Sequence, residues 1–372
     1  MTQAPTPTAD TVRRLVRSLL DEGGTSGPGP EVRPVAEGDA PATWWVGTRH
    51  VLRLATDRET TLRRRRELRL RDLVRSHVPV AVPTSVAHGE WSPGLVYTLD
   101  TKVPGGTAEE HDVSAVGEAD LAGLLRGLRE VPARQAEALG VPRTAPRSLE
   151  ALRRMAVAAA QRLARADEFD PSRLHQLTPP GAAQLAAQPG TAVLVHHALR
   201  GEHLVVSADG RVRGVLDWTG AVLGDPAEDI AGLALAVGSG AAVRAATLAG
   251  YGPRPCLRGL WLARCDTVVR LAERLDGRTG GRTAGRTTGS TTGRTTGPTT
   301  GPRDAEELTL PRVQLARAWE AILLERVTEF REDGEDPETG EDPETGEDRE
   351  GGEDREGGAG GEGGAGGTDG VG

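Results

Sequence analysis

The sequence predicts an α+β fold in two lobes, β-rich toward the N-terminus and helical after it. Three observations carry this. Strand-like runs at Trp44–Val46, His50–Leu54 and Leu95–Leu99 fall before residue 100 with only one helical segment among them. Apolar residues recur at helical spacing over most of the chain beyond it. The stretch that looks foldable, near 300 residues, is long enough for two sizeable cores. The expected division is a small lobe over residues 1–100 and a larger one over 101–331. A low-complexity insertion is expected at 277–301 and a disordered acidic, Gly-rich tail at 332–372.

Trp44–Val46 and His50–Leu54 form a strand pair around Gly47-Thr48. An arginine-rich segment, Arg58–His77, carries Leu62, Leu70, Leu73 and Val74 and reads as a helix. Leu95–Leu99 is an apolar strand, and Thr101-Lys102-Val103-Pro104-Gly105-Gly106 breaks it. Glu118–Glu130, with Leu121, Leu124, Leu125 and Leu128, is an amphipathic helix, and Leu149–Ala166 is a second. Asp225-Pro226-Ala227-Glu228 is a helix start, with Asp as cap and Pro at the first helical position. A buried helix over Ala227–Val237 follows, and Leu257–Leu275 and Val313–Val327 complete the helical set.

The stretch from Val193 to Ile230 is the most informative. Val193–Val195 can enter a buried strand, and His196–His203 is a polar loop holding Gly201. Leu204–Val206 and Val212–Leu216 are strand runs flanking Ser207-Ala208-Asp209-Gly210-Arg211, where Asp-Gly signals a hairpin turn. The hairpin brings its outer ends, His203 and Asp217, side by side. Two such side chains suit a divalent cation on a nucleotide's phosphates. Read on spacing alone, it is equally a surface hairpin with an ordinary Asp at its exit.

The loop His196-His197-Ala198-Leu199-Arg200-Gly201-Glu202-His203 is in register with the kinase pattern H-R-D-L-x-x-x-N. Gly214 through Asp217-Trp218 to Asp225-Pro226 resembles the aminoglycoside and macrolide phosphotransferases, in which "DW" and then "GDP" follow the hairpin. His203 at the Asn position, with Asp-Trp-Thr after the hairpin, is more similar to the macrolide branch. The resemblance covers most of Asp10–Arg331. It implies a two-lobed protein-kinase-like fold that moves the γ-phosphate of ATP or GTP to a hydroxyl of a small molecule such as a macrolide or aminoglycoside. Mg²⁺ would be held by His203 and Asp217. Arg53 stands where the family has a strand basic residue, usually Lys, and Glu67 where it has the helix acid. Lys102 is the sole lysine of the chain, so no other strand lysine can substitute. Arginine is bulkier and planar, a departure and not a free swap. Taken singly, Arg53 and Glu67 are ordinary surface charges. The backbone around Leu99–Thr101 would meet the base, and Asp225 would brace the catalytic loop besides capping its helix.

One position breaks the resemblance. The loop Asp that accepts the substrate's proton is replaced by Ala198. Three readings follow. The first is a weakened enzyme with His197 or Glu202 as surrogate base and Arg200 beside them as a catalytic candidate. The second is a nucleotide-binding pseudokinase acting as a regulatory or binding module. The third is a decayed paralogue. An acidic pocket for a cationic aminoglycoside is not visible, since acids cluster only at Asp217–Asp229 and in the tail; a macrolide is therefore expected first.

Charge and composition add bounds. The chain has 45 basic and 54 acidic residues, a net charge of −9. From Glu332 on there are 16 acids and 2 arginines, so the tail holds −14 and the rest +5. Cys256 and Cys265 have neither metal-ligand spacing nor a disulfide framework. No stretch is long and apolar enough to span a membrane, and no signal-type run opens the chain. The expectation is a cytoplasmic protein that binds a nucleoside triphosphate and a small hydroxylated molecule, with no nucleic-acid or membrane partner.

Overall fold

A computed structural model describes residues 6–20, 30–35, 42–190, 192–284 and 302–322. The insertion from 285 to 301 and the acidic tail lie outside them. Helix α1 (Ala9–Leu20) precedes strands β1 (Val32–Pro34), β2 (Thr43–Val46) and β3 (His50–Leu54). Helix α2 (Arg58–Arg75) leads into β4 (Ser85–Ser92) and β5 (Leu95–Thr101). These strands make one antiparallel sheet of order β1-β2-β3-β5-β4. Alternating side chains of the sheet, Trp44, Val46, Leu52, Leu54, Tyr97 and Leu99, pack with Val12 and Val16 of α1 into the small lobe's core. Each such fully buried side chain stabilises by about 1.5–3 kcal/mol.

Helix α2 starts where Asp57 caps it, its carboxylate accepting the Thr60 N–H at 2.7 Å. Its buried face is mixed. Leu70 and Val74 join the large core, while Arg64, Glu67 and Arg71 are buried polar residues at i, i+3 and i+7.

The chain then crosses to the larger lobe through β6 (Gly106–Thr107), followed by α3 (Ala115–Glu130), α4 (Ala133–Ala138), α5 (Leu149–Arg165) and α6 (Pro179–Gln184). Strands β7 (Val193–Val195), β8 (Leu204–Val206), β9 (Val212–Val215) and β10 (Val222–Gly224) come next. Strand β6 pairs β8, β8 pairs β9, and β7 pairs β10, all antiparallel. Helices α7 (Ala227–Val237), α8 (Ser239–Leu248), α9 (Pro253–Ala284) and α10 (Pro302–Ala318) close the lobe. Its core runs from Leu121 and Leu125 of α3 through Leu194 and Trp218 to Leu260 of α9 and Leu315 of α10.

Two boundaries differ from expectation. The α9 backbone stays helical to Ala284, into the segment expected to be a loop from 277. The last helix begins at Pro302 and passes through Pro311, eleven residues earlier than the expected start at Val313.

Candidate functional site

A cavity of about 540 Å³ lies between the sheet and the β8–β9 hairpin. Trp45, Val51 and Arg53 line it on the sheet side, and Val205, Leu216, His203 and Asp217 on the hairpin side. Asp100, Thr101 and Lys102 form the back wall where the lobes join. Lys102 lies over the Trp45 ring, its Nζ 4.6 Å from the centroid.

Arg53 is the hub. From β3 its Nη1 donates to Glu67 Oε1 at 2.7 Å, and its Nη2 to Asp217 Oδ1 at 2.9 Å. One planar guanidinium thus joins strand, helix and hairpin, which the single ammonium of a lysine would do less directionally. Burial opposes its charge, but Glu67 and Asp217 raise its pKa above the ordinary arginine value.

The hairpin sets the next two groups. Ser207 N–H donates to Arg211 O, and Gly210 takes φ +75°, the left-handed geometry the turn needs. At the open end Leu216 N–H donates to His203 O at 2.9 Å, which fixes His203 beside Asp217. His203 Nδ1 donates to the Ala198 carbonyl at 2.8 Å. In the neutral ring this tautomer places the lone pair on Nε2, which lies 3.8 Å from Asp217 Oδ2. Asp217 itself is left-handed at φ 58°, a conformation Asp tolerates better than most residues. Burial works against its carboxylate, yet Arg53 and the Thr219 hydroxyl hold its pKa down at about 2. It is ionised throughout the neutral range. Among the described residues no group of three or more His, Cys, Asp or Glu is placed to hold a metal ion. His203 and Asp217 are a two-ligand edge, and a phosphate-bound Mg²⁺ typically takes only one or two protein groups.

The loop before the hairpin is held from beneath. Asp229, at the start of α7 and 2 % exposed, accepts the His196 and His197 N–H groups at 2.8 Å each. Burial pushes this carboxyl up to about 7, against the pull of those two bonds. His196 is fully buried, its Nε2 donating to Leu216 O and its ring edge-on to Trp218. Burial lowers its pKa to about 3, so it is neutral.

Several expectations need correction here. Asp229, and not Asp225, braces the loop. Asp225 caps α7 through the Ala227 N–H at 3.0 Å and pairs with Arg258 at 2.6 Å. Leu99 does not line the cleft: β5 lies between β3 and β4, Leu99 pairs with Leu52 and Ala87, and its side chain is fully buried. Thr101 does line it, with its N–H donated to Thr84 O. His197 is exposed, at φ 66°, and is not among the cleft-lining residues. Arg200 is exposed too and lines a separate cavity with Thr267, Arg270 and Glu273.

Sequence reasoning singled out Glu202 but missed Glu109 and Glu110. Glu110 and Glu202, far apart in the chain, both line the cleft, and Glu109 packs against Gly201. A Cβ at Gly201 would come within 2.7 Å of Glu109 Cγ, so a larger residue there would have to displace the Glu109 side chain. Burial, then Glu202, raises the Glu109 pKa. Acids do gather at the site after all. Arg71 and Asp100, both buried, form a further pair at 3.1 Å behind the cleft.

No curated protein matches the chain. Among solved structures, the GDP complex of wild-type aminoglycoside 2'-phosphotransferase-IIIa overlies with TM-score 0.55 at 18 % identity, covering 83 % of this chain and 99 % of that one. The GDP and kanamycin complex of APH(2")-IIia gives 0.53 at 19 %, covering 74 % and 95 %. Macrolide 2'-phosphotransferase MphH from Brachybacterium faecium gives 0.48 at 25 %, covering 73 % and 95 %. The first two likenesses establish a kinase-like fold and nothing finer. The model of the phosphotransferase enzyme family matches residues 31–264, which hold the sheet, Arg53, Glu67, the loop and the hairpin. The chain belongs to the phosphotransferase enzyme family.

Proposed function

We propose that this phosphotransferase moves the γ-phosphate of ATP or GTP to a hydroxyl of a small molecule such as a macrolide or aminoglycoside. The observation that carries the reading is Arg53, which ties Glu67 to Asp217 at the mouth of a cleft where His203 turns a free ring nitrogen toward the same carboxylate. The base fits between Trp45 and Val51 on one side and Val205 and Leu216 on the other, with Thr101 at the back. The phosphates then run toward Arg53. Asp217 and His203 are the groups that would hold Mg²⁺, which supplies charge neutralisation on the phosphates when bound.

The acceptor end is where the chain departs from its relatives' pattern. The Ala198 methyl can neither orient a hydroxyl nor take its proton. Of the two surrogate candidates, Glu202 is in the cleft wall and His197 is not; Glu202 is the proton acceptor in this reading. Phosphoryl transfer depends mostly on positioning and charge, so transfer without the loop Asp is slowed and not abolished. Glu110 and Glu202 favour an acceptor that carries an ammonium group as well as a hydroxyl. This reverses the preference drawn from the sequence, since an amino sugar now suits the site.

The test is product formation. ATP or GTP with Mg²⁺ is incubated with a panel of aminoglycosides and macrolides, and phosphorylated products are read by mass spectrometry. A product with one of them is expected. No product from either this chain or its Ala198→Asp variant would remove the proposed activity.

A further inference from the structure

Helix α2 carries a buried arginine that the cleft described above leaves without an acid. Arg64 is only 6 % exposed, and its Nε and Nη1 have no hydrogen-bond partner. It stands one turn before Glu67 and two before Arg71 on the buried face of α2. The acids around it are Glu67, Asp217 and Asp100, and each is already engaged. Arg53 takes Glu67 and Asp217, and Arg71 takes Asp100. Its flanking arginines, Arg63 and Arg65, point outward to Glu59 and Glu90, so within the run Arg63–Arg66 this one was singled out for burial. Burial first, and then the neighbouring Arg53 charge, push its guanidinium down to about 10. An unpaired buried cation is costly in the ligand-free chain, and Arg64 is retained behind the cleft lining, within electrostatic reach of Arg53, Asp100 and Asp217, which do line it.

We propose that Arg64 is a phosphate-binding residue that donates to non-bridging oxygens at the terminal end of the bound nucleoside triphosphate. The inference rests on the nucleotide site proposed above. Arg53 spends one Nη on Glu67 and the other on Asp217, which leaves it little donor capacity for phosphate oxygens that Mg²⁺ does not take. Arg64 supplies that capacity from the helix, and its missing partner is the ligand's anion.

Calorimetric titration of the full chain with nucleoside, mono-, di- and triphosphate of adenosine and guanosine tests this. The variants are Arg64→Met and Arg64→Lys, and each is also melted without ligand. Arg64→Met is expected to weaken triphosphate binding about 10- to 100-fold, the worth of a charge-assisted bond, and to leave nucleoside affinity unchanged. Its ligand-free melting temperature should equal or exceed that of the parent, because a strained cation has gone. The ratio of triphosphate to nucleoside affinity decides. If that ratio is unchanged, or if all ligands weaken together, Arg64 is structural and the proposal is overturned. Should the Met chain fail to fold, Arg64→Lys is read instead: its shorter reach should lower the same ratio by a smaller factor, and an unchanged ratio overturns the proposal. A parent chain that binds none of the ligands overturns both this and the nucleotide site, a failure visible before any variant is made.

Discussion

Arg53 Nη2 lies 2.9 Å from Asp217 Oδ1, across 164 residues of sequence, while the same guanidinium holds Glu67 Oε1 at 2.7 Å. The small lobe's sheet, its helix and the hairpin of the large lobe are thus clamped through one side chain. Glu67 is 1 % exposed, so it has no recourse to solvent. Arg53→Met should destabilise the fold by about 3–5 kcal/mol, because it leaves that carboxylate buried and unpaired. Arg53→Met with Glu67→Met should recover most of the loss. Denaturant melts of the three chains measure this. Equal stability of the single variant and the parent would mean that the pair does not form in solution.

The buried Asp229 and His196 make opposite demands on pH. Asp229 has a folded pKa near 7, raised above its ordinary value by burial. Its protonation favours the folded state at low pH, and this contribution is lost as pH rises from about 4 to about 7. His196 has a folded pKa near 3, lowered by burial. Its contribution is present above about 6.5 and is lost as pH falls toward 3. In the parent the two slopes offset each other. Asp229→Asn removes the carboxyl's contribution, so that stability relative to the parent falls as pH drops from about 7 to about 4. His196→Phe removes the histidine's contribution, so that relative stability falls as pH rises from about 3 to about 6.5. Urea melts at a series of pH values read both difference curves, and slopes of the same sign would contradict the assignment.

The Arg53–Glu67 relation was legible through the family resemblance, since each residue taken singly reads as an ordinary surface charge. The hairpin was legible from Asp209-Gly210 and the two β-branched runs around it. What was not legible depends on burial. Four consecutive arginines, Arg63 to Arg66, look alike in sequence, and only the packing of α2 distinguishes Arg64. Asp225 and Asp229 lie one helical turn apart, and either could reach back to the loop; the β10–α7 path aims Asp229. A backbone contact at Leu99 has no side-chain signature, and only the sheet order shows that β5 is paired on both sides there. Glu110 and Glu202 reach the same cleft because β6 pairs with β8.

Ala198 sits where a proton acceptor is missing, and the remedy is a single substitution. Ala198→Asp should raise turnover of an accepted substrate by about 10²–10⁴-fold, the usual worth of a general base. The nucleotide Kd should change little. Glu202→Gln should slow the parent and have a smaller effect on the Ala198→Asp chain, since the two carboxylates would serve one proton. Steady-state rates of the four chains check this. An additive effect of Glu202→Gln in both backgrounds would assign Glu202 to something other than proton transfer.

The central claim is a metal-dependent nucleotide site closed by Asp217, and calorimetric titration tests it most directly. Asn at 217 keeps a left-handed backbone accessible and removes only the charge. The account predicts that the parent binds ATP or GTP more tightly with Mg²⁺ than without it, and that Asp217→Asn abolishes the difference. No binding of either nucleotide by the parent, or an Mg²⁺ effect that survives Asp217→Asn, would contradict it.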